Sequence, residues 1–86
     1  MKCYFEYDAC KGYIVPCGPE EDKLEARKFL REYDSPRLAL RMAGPNFTGK
    51  FLCDGAKGRA VPTRETKELL RGKDRLRIEI TDVVRA

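Results

Sequence analysis

Four cysteines, several scattered carboxylates and one glycine-lysine run are the groups in this 86-residue chain whose types and spacing could do chemistry. The chain contains no histidine, which removes the commonest general base, the commonest metal ligand and the only unperturbed side chain that titrates near neutrality. The cysteines stand at positions 3, 10, 17 and 53, and no pair has the short gap of a zinc knuckle or the clustered spacing of an iron–sulfur ligand run. Cys10, at the tip of a predicted turn, has no histidine and no adjacent group of cations to activate it, so thiol catalysis is unsupported. A hairpin centred on Cys10 would set Cys3 opposite Cys17 at a separation that accepts a disulfide. The plainer account is that these thiols stay reduced and pack as small hydrophobes.

The run Gly44-Pro45-Asn46-Phe47-Thr48-Gly49-Lys50 fits the first seven positions of the phosphate-binding loop G-x-x-x-x-G-K-[ST]. Phe51 stands where the magnesium-binding Ser or Thr belongs, and no helix is predicted to follow, so the run reads as a hairpin connection and a nucleotide site is rejected. Glu32 and Asp34 fall at the C-terminal end of the longest predicted helix, where the helix dipole disfavours negative charge. With Glu6 or Asp8 close by they would form an oxygen-ligand site for calcium, the one cofactor the sequence suggests. Pairing with Arg37, Arg64 or other cations accounts for them without a metal. The acidic run Glu20, Glu21, Asp22 and Glu25 is explained by its place at a helix start.

The net charge of +4 is unevenly spread. Residues 1–43 hold eight basic and eight acidic side chains, whereas residues 44–86 hold ten and six, so a polyanion would bind the C-terminal half. Lys57, Arg59, Arg64, Lys67 and Arg71 are the candidate nucleic-acid contacts. Gly55-Ala56-Lys57-Gly58 adds a G-x-x-G loop whose amide groups would grip phosphate without reading sequence. No aromatic residue follows Phe51, so base stacking from this half is ruled out. A solvated, salt-bridged surface is the competing account: 37% of residues are charged and glutamine is absent, a bias that fits a thermophilic source.

The elements that must position these groups follow from periodicity. Lys2–Asp8 alternates with Cys3, Phe5 and Tyr7 on one face and Tyr4 and Glu6 on the other; a glycine turn leads to a second strand over Tyr13–Cys17. Pro19–Tyr33 is a helix with Ala26, Phe29, Leu30 and Tyr33 on its apolar face, ended by Pro36. Strands follow over Arg37–Met42 and Lys50–Cys53, then a basic glycine loop over Asp54–Arg59. Thr63 caps a short helix that buries Leu69 and Leu70, and Arg75–Thr81 is the last strand.

The order β-β-α-β-β-α-β across residues 1–86 predicts one small α+β domain with a mixed sheet packed on the long helix. That order resembles the ubiquitin-like β-grasp; other α+β arrangements of the same elements remain open. The chain ends Val83-Val84-Arg85-Ala86, without the diglycine that conjugation requires. No nucleophile with a base, no metal-ligand set and no intact phosphate loop is present, so the expectation is a non-catalytic binding module. A basic start and long apolar centre are missing from MKCYFEYD, and no apolar run spans a bilayer, which predicts a cytoplasmic protein without a membrane partner. Its partner is expected to be a protein, nucleic acid held by the basic half, or a divalent cation.

Overall fold

The computed structural model describes residues 3–34 and 38–84. Among these, six strands and two helices form in the order β1 (Cys3–Asp8), β2 (Tyr13–Pro16), α1 (Glu20–Glu32), β3 (Leu38–Met42), β4 (Phe47–Asp54), β5 (Arg59–Pro62), α2 (Arg64–Leu69) and β6 (Arg75–Val84). The strands close into a barrel in the order β1-β2-β5-β4-β3-β6, and every pairing is antiparallel. This overturns the expected mixed β-grasp sheet. The element responsible is β5, which the sequence presents as the end of a glycine loop: four residues, Arg-Ala-Val-Pro, give too little apolar alternation to be read as a strand. With β5 bridging β2 and β4, the sheet has no open face for a helix to lie on and no unpaired edge.

Closure on the other side depends on β6. Its first part pairs with β1, from Cys3↔Ile80 to Asp8↔Arg75, and its second part with β3, from Ala39↔Val84 to Met42↔Ile80. The β3 register skips Thr81 between Asp82 and Ile80, and the Thr81 hydroxyl donates to the Arg41 carbonyl at 3.2 Å. Such a bulge bends a strand and raises its twist, which lets one strand serve both neighbours.

Strand alternation sends Cys3, Phe5, Tyr7, Ile14, Leu38, Leu40, Met42, Phe51, Cys53, Ala60, Ile78 and Ile80 into the barrel, all buried. The helices plug its two ends. α1 lies across the end where β1 starts, β2 finishes and β4 turns into β5: Phe29 meets Phe5 edge-on at 6.1 Å between centroids, and Ala26 and Leu30 are fully buried. Its bounds and apolar face agree with the sequence reading; Ser35, Pro36 and Arg37, expected to end the helix and begin the next strand, lie outside the described residues, as does Lys2.

α2 closes the opposite end. The Thr66 hydroxyl accepts from the Lys50 amide at 2.8 Å, and the Thr63 amide donates to the Lys50 carbonyl at 3.0 Å, so the helix continues the β4–β5 ladder. Thr63 caps it by accepting from the Thr66 amide, as the sequence implies. Leu70 is buried, but Leu69 points outward at 55% exposure, and Thr66 takes the inward position instead. No helix among the described residues is long and apolar enough to cross a membrane.

Candidate nucleic-acid interface

The barrel sorts charge by wall. Residues 38–62, which contain β3, β4 and β5, carry Arg41, Lys50, Lys57 and Arg59 against one carboxylate, Asp54. The adjoining strands β1 and β6 carry Glu6, Asp8, Glu79 and Asp82 against Arg75 and Arg77. Half of the excess that the sequence assigns to the C-terminal half thus lies on this wall, to which Arg41 adds from the N-terminal half, and β6, although C-terminal, lies beyond its border.

On that wall Arg41, Lys50 and Leu52 are exposed, and Leu52 sits directly across from Val61. Lys50 pairs with Ala39, which makes it the diagonal neighbour of Arg41 on the same face. At the β5 border, the antiparallel register through Ile14↔Ala60 sets Tyr13 of β2 diagonally beside Arg59, whose guanidinium carbon lies 4.7 Å from the ring centroid. The Arg59 Nε is buried without a hydrogen-bond partner among the described residues, and its guanidinium is in contact with the tyrosine ring. Beyond the β3 border the same diagonal recurs between β1 and β6, where Arg77 lies over Tyr4 at 4.9 Å. Two arginine–tyrosine stacks therefore flank the basic wall.

The five sequence-derived contacts are divided by this arrangement. Lys57 and Arg59 lie at the α1 end of β5, whereas Arg64, Lys67 and Arg71 are exposed on and just after α2 at the other end. The length of β5, about 13 Å, separates the groups. Arg71 also lies 3.6 Å from Glu68. The G-x-x-G loop serves packing: Gly55 is buried where a Cβ would come within 2.9 Å of both the Arg31 Cα and the Leu30 carbonyl oxygen, so its backbone faces α1. Lys50, Tyr13 and Tyr4 are absent from the sequence-derived set, whereas Arg77 is among the cations of the basic half. The available signal was a tyrosine at an outward position of each N-terminal strand.

The four candidate calcium ligands do not converge. Asp8, at the far end of β1, accepts from the Cys10 and Lys11 amides and caps the hairpin turn; Glu6 is 3.9 Å from Arg75. Asp34, beyond α1, accepts from the Gly55 amide at 3.4 Å, and Glu32 is exposed on the last turn of α1. Among the described residues no group of three or more histidine, cysteine or acidic side chains is placed to hold a metal. The run Gly44–Lys50 forms the β3–β4 turn and the start of β4, with Asn46 at φ 58.

No protein-family model, curated protein or solved structure matches the chain. Its reading therefore rests on geometry.

All four cysteines are free, and the Cys3–Cys17 pairing is corrected by one residue of register. Phe5 pairs with Pro16, so Cys17 falls opposite Tyr4 on the outer face while Cys3 points into the barrel. Burial raises the pKa of both thiols. At Cys53, burial and then the nearby Asp34 carboxylate push it up to about 12. Folded Cys53 thus stays protonated where the unfolded thiol, near 9.0, ionises. Its contribution is intact below pH 9 and is lost as pH rises toward 12, at about 1.4 kcal/mol per pH unit. Urea unfolding at pH 8.5 and 10.5 should show a smaller alkaline loss for Cys53→Ala than for the parent; equal losses would mean the thiol is accessible in the folded barrel.

Proposed function

We propose that this protein is a non-catalytic, cytoplasmic module that binds single-stranded nucleic acid along the β3–β4–β5 wall, through the backbone rather than by sequence. The observation that carries the reading is the basic wall bordered on both sides by arginine–tyrosine stacks. A wall of cations tracks phosphates, and flat π surfaces beside it take unpaired bases, the combination that single-strand binding uses. The aromatic rings that the chain lacks after Phe51 are supplied across the ladders by β1 and β2. A protein partner has less support: the exposed leucines Leu24, Leu52 and Leu69 sit on three different elements, α1, β4 and α2.

Fluorescence anisotropy with a labelled twelve-nucleotide single strand of mixed sequence tests the reading. Micromolar or tighter binding is expected at 50 mM salt. With three to four phosphates contacted, affinity should fall roughly twentyfold to fiftyfold on going to 200 mM, and a duplex of the same sequence should bind more weakly. Binding that is undetectable at 50 mM, or indifferent to salt, would overturn it.

A further inference from the structure

We propose that the notch between Tyr4 and the β3–β4 turn is a nucleobase subsite that prefers bases carrying an exocyclic amino group. This rests on the single-strand reading and specifies what part of the strand the notch takes. It is lined by Tyr4, Ala43, Gly44, Arg77 and Glu79 and has a volume of about 260 Å³.

Its shape follows from the way the chain leaves β3. The Ala43 amide donates to the Glu79 carbonyl at 2.8 Å, which carries the turn onward along β6. At Gly44 the backbone comes so close that a Cβ would sit 2.7 Å from the Arg77 carbonyl oxygen and 3.5 Å from the Ile78 Cα. Any side chain there would push the turn away from β6. Two small residues in succession therefore leave the outer face of β6 uncovered, with the Tyr4 ring and the Arg77 guanidinium stacked over it as one wall. Glu79, directly across from Tyr4 in the ladder, contributes a carboxylate to the same space.

A ring and a guanidinium plane favour a flat aromatic ligand. The carboxylate accepts hydrogen bonds and donates none, so it favours the amino groups of cytosine, adenine and guanine over uracil, whose single N–H, at N3, lies between two carbonyl oxygens that a carboxylate repels. Glu79 has interactions of its own within the fold. A carboxylate has about four lone-pair sites and keeps capacity for a further donor. The same carboxylate repels a phosphate, and the strands that build the notch carry four acidic side chains to two arginines, so the backbone belongs elsewhere. Arg41 provides for it: exposed on the basic wall, it stands two residues before Ala43, about 6.8 Å along the chain. A strand whose phosphates follow Lys50 and Arg41 thus places its next base at the notch.

Eight-nucleotide homopolymers of cytidine, adenosine and uridine, titrated at 50 mM salt with anisotropy and amide shifts as readouts, decide the matter. Oligo(C) and oligo(A) should bind at least fivefold more tightly than oligo(U), with shifts at Ala43, Gly44 and Glu79. Glu79→Gln should bring oligo(C) within twofold of oligo(U). Should that variant lose its dispersed amide spectrum, Tyr4→Leu serves instead and should likewise remove the preference. Equal, salt-dependent binding of all three polymers overturns the subsite and leaves the single-strand reading standing; failure of all three to bind removes both.

Discussion

Phe51→Ala is expected to lower the free energy of unfolding by about 3–5 kcal/mol, measured as a fall in the urea midpoint with little change in slope. Phe51 is completely buried at the middle of β4, paired with Leu38 on one side and Pro62 on the other. Its ring reaches over Gly49, where a Cβ would lie 3.0 Å from the Phe51 ring, the Met42 sulfur and the Thr66 methyl alike. Below that point α2 is tied to Lys50 through two hydrogen bonds. A cavity here has little means of collapsing, because ladders hold the barrel around its whole circumference and helices close both ends. A domain of this size has about 4–13 kcal/mol of stability in total, so this one change should leave it close to unfolding at 37 °C. Leu52→Ala, next along β4 but pointing outward, should cost no more than about 0.5 kcal/mol. A loss below 1.5 kcal/mol for Phe51→Ala would mean that the ring does not fill the barrel as described.

Most of the inward set on β1, β3 and β6 was legible in the sequence. Alternation places Cys3, Phe5, Tyr7, Leu38, Leu40, Met42, Leu76, Ile78 and Ile80 in the interior, and all are buried except Leu76, which is half-buried against the core. The long helix was also marked, by its apolar spacing and by the acidic residues of its first turn. Two glycine-containing stretches concealed the rest. Gly49 looks like turn punctuation, yet it lies inside β4 because the Phe51 ring, Met42 and Thr66 occupy the space a side chain would need. Gly55 begins the glycine run that masked β5, and its role is to let the β4–β5 turn meet α1. A glycine selected for close approach has the same local signature as one selected for a turn, and only the partner across the gap distinguishes them. Losing β5 removed the link between β2 and β4, and with it the closed barrel.

The site was less accessible, because its parts are joined by cross-strand register rather than by sequence distance. Tyr13 and Arg59 are 46 positions apart, Tyr4 and Arg77 are 73 apart, and each stack exists because an antiparallel ladder sets the two on a diagonal. After Phe51 the sequence shows cations without aromatics. Reading the acidic residues alone suggested a metal site, since nothing in the sequence shows that Asp8 already caps a turn or that Asp34 already receives the Gly55 amide. The Cys3–Cys17 pairing failed for the same reason at smaller scale: one residue of register moved Cys17 to the other face.

Arg59 separates charge from stacking on the proposed interface, and its variants carry the largest expected effects on binding. Arg59 is half-buried with its guanidinium over Tyr13, and on the proposed interface it takes a base on the face away from the ring while its terminal N–H groups reach a phosphate. Arg59→Lys keeps the charge and loses the plane. It should cost about 1–3 kcal/mol of binding with the salt slope unchanged, since base stacking of this kind does not release counterions. Arg59→Gln loses both: affinity should fall at least tenfold at 50 mM salt, and the slope of log K against log salt should become shallower by about 0.7, the value for one single-strand phosphate. Tyr13→Leu leaves the charge in place but frees the guanidinium to rotate, so it should resemble Arg59→Lys in lowering affinity without altering the slope. These three slopes form the test, because a nonspecific charged surface would respond to Arg59→Gln but not to Arg59→Lys or Tyr13→Leu. If both of the latter bind as the parent does, the Arg59–Tyr13 stack is structural, and the wall attracts polyanions by charge alone.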